Sequence, residues 1–152
     1  MDPLAIGRTE LAKMVGQFLH EMHRYDGGRM LPLVHAAKIT LPQLAVLEYV
    51  RDPRTVSEVA NHAGLSRPAT SFMIDKLVRR GFVKRSEGIV DRRERRVVLG
   101  AKGSGLLNRV HAARVARFEA TLGALPASTA RRLAGTLEEV LAELERVREK
   151  RD

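Results

Sequence analysis

The chain has 152 residues, 44% of them hydrophobic and only 4% aromatic, enough to bury a core in one compact domain with an appendage. Lys and Arg number 27 against 18 Asp and Glu, a formal charge of +9, which suits a polyanionic partner. Cysteine is absent, which excludes disulfides, thiol chemistry and thiolate metal sites; with no apolar run near ~18 residues and no signal-peptide layout, a cytoplasmic chain without a membrane partner is expected.

Residues 8–25 repeat apolar side chains at helical spacing (Leu11, Met14, Val15, Phe18, Leu19, Met22), and Asp26-Gly27-Gly28 ends that helix. Residues 29–38 are ambiguous, with a short helix as one reading. Thr40-Leu-Pro-Gln43 has the form of a capping box with proline in the first turn, and Leu44, Val46, Leu47 and Val50 give the buried stripe that follows. Asp52-Pro53 stops it. Thr55-Val-Ser-Glu58 is a second capping box, opening a short helix through about His62 with Val56, Val59 and Ala60 inward, and Gly64 is the turn residue after it. Ser66 caps the next helix, 67–80, whose apolar side is expected from Phe72, Ile74, Leu77 and Val78 before Gly81 ends it. Residues 82–87 and 95–99 read as two short strands joined by the polar loop Gly88-Ile-Val-Asp-Arg-Arg-Glu94. Two long helices follow, 102–123 and 128–150. The second repeats Leu133, Leu137, Val140, Leu141, Leu144 and Val147 at three- and four-residue spacing.

The order helix, tight turn, helix, hairpin carries the functional signal. Two helices joined by Ala63-Gly64-Leu65 make a helix-turn-helix. A helix that enters a major groove needs small and polar groups in its first turn, which Ser66-Arg-Pro-Ala-Thr-Ser71 supplies. An arginine at a hairpin tip can enter the neighbouring minor groove, and Asp91-Arg-Arg-Glu-Arg-Arg96 has the charge for that. The charge is placed accordingly: residues 55–100 hold ten Lys or Arg against five Asp or Glu, more than half of the chain's excess. Lys76, Arg79 and Arg80 read either as phosphate contacts or as a solvated surface, and His62 as a phosphate contact or a plain surface histidine. His20 and His23 lie one turn apart, but the two nearby carboxylates, Glu21 and Asp26, make a metal site the weaker reading, and no metal or cofactor is expected. Neither a Ser/His/Asp spacing nor a phosphate-cradling glycine loop is present.

On these residues the sequence resembles the MarR family of regulators, over roughly residues 8–148. The most specific segments are Thr55-Val-Ser-Glu-Val-Ala60, Gly64-Leu-Ser66, Leu77-Val-Arg-Arg-Gly-Phe-Val-Lys-Arg85 and the Asp91-x-Arg93-x-x-Arg96 spacing. The resemblance implies a mainly α (α+β) fold. A winged helix-turn-helix head over 40–100 would carry DNA binding, and helices from both chain ends, 8–25 and 102–150, would form the dimerisation region. It implies a homodimer on a near-palindromic duplex operator, acting as a repressor relieved by a small-molecule effector, or less often as an activator. Ser66, Arg67, Pro68, Thr70 and Ser71 match the start of the recognition helix, Arg93 the wing-tip arginine, Asp91 the acid that steadies it, and Arg96 the arginine that braces the wing; Arg92 and Lys76 join them as candidate DNA contacts. Two positions depart from the family pattern. Gly100, followed by Gly103 and Gly105, stands where a threonine often caps the helix after the wing, so a weak helix start is expected, and Pro126-Ala127 replaces the usual polar start of the last helix. Two other classes stay open: a winged-helix module that binds protein or RNA, and a small ligand- or metal-dependent enzyme.

Overall fold

The computed structural model describes residues 7–24, 30–87 and 95–150. In chain order the elements are α1 (Arg8–Arg24), α2 (Met30–Ala36), α3 (Leu41–Tyr49), β1 (Arg54–Thr55), α4 (Val56–Ala63), α5 (Arg67–Arg79), β2 (Val83–Glu87), β3 (Arg95–Leu99), α6 (Ala101–Leu122) and α7 (Ala127–Glu149). The protein is therefore mainly helical with one small antiparallel sheet of order β1-β3-β2. The ambiguous stretch before residue 38 contains a short helix, α2.

Both capping boxes form. Thr40 Oγ1 accepts from the Gln43 amide at 3.4 Å while Gln43 Oε1 accepts from the Thr40 amide at 3.0 Å. At the head of α4 the Glu58 amide donates to Thr55 Oγ1 at 3.2 Å, and Glu58 Oε2 accepts from the Thr55 amide at 2.7 Å. Each box satisfies amides that a helix start leaves without partners. β1 was not foreseen: at two residues it is too short for any periodicity, and Thr55 is both its last residue and the cap of α4.

The chain divides into two compact units, one of residues 27–115 and one of residues 1–26 with 116–152. The first is the head. Its core gathers Val34 and Ile39, then Val46, Leu47 and Val50 of α3 and its C-terminus, Val59 of α4, Ile74 and Leu77 of α5, Val83 and Val97 of the sheet, and Leu106, Leu107 and Val110 of α6. The first half of α6 thus fills the same core as the helix-turn-helix and the sheet.

Gly100 and Gly103 have a physical reason. A Cβ on Gly100 would crowd the Gly81 carbonyl, and one on Gly103 would overlap the Phe82 carbonyl oxygen. The bare backbone lets α6 start directly after β3, with the Gly100 amide donating to Phe82 O at 2.8 Å and the Ser104 amide to Gly100 O at 3.0 Å. Low intrinsic propensity at this start is offset by that close approach.

In the second unit, α1 and α7 keep their apolar stripes uncovered. Leu11, Met14, Val15, Phe18 and Leu19 are all exposed, and so are Leu137, Val140, Leu141, Leu144 and Val147. α7 begins at Pro126 without a side-chain cap and contains no buried residue. Among the described residues no single helix is long and apolar enough to cross a membrane.

Candidate nucleic-acid interface

The reading head is built on a tight turn. Gly64 ends α4 in the left-handed region, φ 63°, a conformation that glycine adopts without steric cost. Its amide and that of Leu65 fold back onto Asn61 O and Ala60 O, which fixes the exit towards α5. Ser66 then caps α5, its Oγ accepting from the Ala69 amide at 3.4 Å. With that amide taken and Pro68 lacking one, anion attraction at this helix start falls mainly on the side chains of Ser66 and Arg67.

α5 has a sharp division of faces. Thr70, Ile74 and Leu77 are fully buried, whereas Pro68, Ala69, Phe72, Lys76 and Arg79 are exposed. Two expectations change here. Thr70 is not on the outward face: it is 0% exposed, and its hydroxyl donates to Ser66 O at 3.0 Å, so it supports the first turn from within. Phe72, expected in the core, is 59% exposed, and Lys76 Nζ lies 4.2 Å above its ring centroid. The helical period explains the exchange. Positions 70, 74 and 77 share one stripe, and position 72 lies some 200° around the helix from 70 and 74. Hydrophobicity read residue by residue assigns the two the other way round.

Three arginines hold the hairpin and helix in place. Arg85 of β2 donates to Asp75 of α5 at 2.6 Å, tying the wing to the reading helix. Arg96 lies opposite Thr55 in the β1–β3 register and donates to Pro53 O at 3.4 Å, which ties the wing to the turn before α4. Arg80 donates through Nη1 to Lys38 O at 2.8 Å and through Nη2 to Ala37 O at 2.6 Å, so its charge is directed inward, away from any phosphate. Glu58 faces Arg54 and Arg96; the Thr55 amide and hydroxyl bonds, and after them these two guanidinium groups, hold its carboxyl below the usual value of 4.5 against the opposing effect of burial. His62 stacks flat on Tyr49, with ring centroids 3.9 Å apart.

Of the expected site residues, Ser66 and Arg67 are exposed at the start of α5, Pro68 and Lys76 are exposed on the side opposite its buried stripe, and Ser71 is partly covered. Arg96 stands at the base of the wing. Asp91, Arg92 and Arg93 lie outside the described residues, as does the His23 side chain; among the described residues no cluster of three or more His, Asp or Glu could hold a metal. The Arg85–Asp75 tie was missed, because nothing in the spacing of two charges on successive elements marks them as partners.

Residues 39–94, from the start of the α3 segment into the wing, match the family model described as MarR family. No curated protein matches the chain. Among solved structures the chain is similar to the transcriptional regulator Tm0710 from Thermotoga maritima, with 20% identity, 88% of this chain and 96% of that one covered, and a TM-score of 0.69. It is also similar to S. aureus MepR bound to ethidium bromide, with 19% identity, 91% and 97% covered and a TM-score of 0.61. A MepR variant bound to an oligodeoxyribonucleotide gives 19% identity, 91% and 99% covered and a TM-score of 0.55. At these identities the likeness is one of fold. The matched segment, residues 39–94, holds α3, β1, α4, α5 and β2, so the helix-turn-helix and the first wing strand are similar to the MarR family, while β3 and the long helices α1, α6 and α7 lie outside it.

Proposed function

We propose that the protein binds duplex DNA as a homodimer, represses transcription from a near-palindromic operator, and releases it when a small ligand binds. The observation that carries this reading is the exposed side of α5. It carries the basic side chains Lys76 and Arg79 beside Pro68, Ala69 and Phe72, with Ser66 and Arg67 exposed at its start; it is backed by a fully buried face and tied to a basic hairpin by Arg85 and Asp75. A rod of that kind fits a major groove while the hairpin lies over the groove beside it. Ser66, Arg67, Pro68, Ser71 and Lys76 contact the duplex, Arg92 and Arg93 reach from the wing, Asp91 and Arg96 steady it, and Thr70 acts through Ser66. The MepR structure with an oligodeoxyribonucleotide lends support by analogy of fold, and the one with ethidium does the same for an organic effector. A second copy covers the apolar stripes of α1 and α7, and two-fold symmetry then sets the half-sites ~34–36 Å apart. An effector acts by favouring one spacing of the heads over another. Nothing in this role is catalytic, and it places the protein with the chromosome in the cytoplasm.

The test is fluorescence anisotropy with labelled duplexes across a salt series. Binding that falls steeply with salt, and prefers duplex to single-stranded DNA or RNA, is expected. Arg93→Ala is expected to weaken the selected duplex by about 1–3 kcal/mol, the usual cost of losing a readout contact. Indifference to every duplex at low salt would leave a protein- or RNA-binding module as the better account.

A further inference from the structure

We propose that Phe72 is a specificity residue that reads the methyl group of a thymine in the operator. The inference rests on the duplex-binding reading above and adds to it a base and a chemical group. Ala69, Phe72, Lys76 and Arg79 are spaced three or four residues apart, so they form one exposed ridge along α5. Phe72 is the large apolar side chain of that ridge, and it is 59% exposed. Its place in the core is taken by Thr70, Ile74 and Leu77, so packing within the head does not account for it.

A phenyl ring neither donates nor accepts a hydrogen bond. In the major groove the apolar group on a base edge is the C5-methyl of thymine, and phenylalanine is among the side chains that suit it. The neighbours favour a duplex over a protein partner. Lys76 Nζ covers one face of the ring at 4.2 Å from its centroid, Arg79 continues the ridge, and the nearby acid, Asp75, is already paired with Arg85. The ammonium holds the ring in orientation through its quadrupole and leaves the other face and the edge for the methyl group. A cation is thereby carried into the groove next to the contact, where phosphate oxygens and guanine acceptors lie.

The experiment begins with selection of tight binders from a randomised duplex library by the wild-type protein and by Phe72→Ala. Each thymine of the wild-type selected duplex is then replaced singly by deoxyuridine, which removes the methyl group and keeps every hydrogen-bonding group. Wild type is expected to weaken about fourfold at one symmetry-related position, the order of one methyl group withdrawn from contact. Phe72→Ala is expected to lose that response and the thymine preference, with its salt slope and melting temperature unchanged, and Phe72→Met to recover part of the response. Wild type indifferent to deoxyuridine at every position, or Phe72→Ala responding as wild type does, would overturn the proposal. A wild type that binds no duplex at all would instead overturn the duplex-binding reading and the proposal with it.

Discussion

Arg80 joins two chain segments more than forty positions apart. Its guanidinium closes the carbonyls of Ala37 and Lys38, where α2 ends and Lys38 turns the chain at φ 49°, and it lies over the Phe82 ring. Helix-end carbonyls lack partners within their own helix, so removing the fork leaves two acceptors unserved. Arg80→Ala is expected to lower the unfolding free energy by about 1–3 kcal/mol in urea titration. Arg80→Lys should recover only part, since one ammonium cannot span both oxygens as a planar fork does. An unchanged midpoint in both variants would remove this tie from the account. Glu58 adds a pH dependence with a definite sign. Its carboxyl is held below 4.5 in the fold, first by the Thr55 bonds and then by Arg54 and Arg96. A depressed folded pKa stabilises the protein above the unfolded value, and that contribution is lost as pH falls through the folded one. The difference in melting temperature between wild type and Glu58→Gln should therefore be largest near about pH 7 and shrink towards about pH 3. A difference constant over that range would show that the charge of Glu58 contributes nothing.

The start of α6 shows how an element can carry unfavourable residues for a good reason. Gly103 lies where any Cβ would overlap Phe82 O, whereas a Cβ on Gly105 meets nothing within 4 Å. Gly105→Ala is therefore expected to stabilise by about 0.5–1 kcal/mol through helix propensity. Gly103→Ala should destabilise by about 1–3 kcal/mol or more, because backbone must move to admit the methyl group. Thermal unfolding of the two variants checks the pair, and equal shifts would contradict the close approach. From sequence these glycines read as a weak helix start, since propensity is local and the carbonyl they admit belongs to another segment. The same limit separates the legible from the illegible elsewhere. Thr40 with Gln43 and Thr55 with Glu58 could be read because each box closes within four residues. The Arg85–Asp75 tie, the Arg80 fork and the outward turn of Phe72 depend on which face of α5 meets the core, and β1 exists only because β3 lies beside it.

At the scale of the whole molecule, the uncovered stripes are the feature that a single chain leaves unexplained. α7 runs 23 residues without burying one, and its Leu137, Val140, Leu141, Leu144 and Val147 recur at helical spacing with exposures from 44% to 63%. α1 repeats the pattern over Leu11 to Leu19. Apolar surface on this scale in a charged chain marks an association face, and in the homodimer proposed above a two-fold contact with a second copy would cover it. Leu137→Asp combined with Leu144→Asp is expected to halve the mass seen in sedimentation equilibrium. Both side chains are exposed in the single chain, so the melting of the head, residues 27–115, should persist, with its core intact around Leu47 and Ile74. Affinity for a two-half-site duplex should fall by a factor of about a hundred or more, because the second head is no longer held at high effective concentration, while affinity for an isolated half-site should not change. An unaltered mass would place the contact elsewhere on the chain. A halved mass with undiminished affinity for the two-half-site duplex would mean that one head alone does the reading.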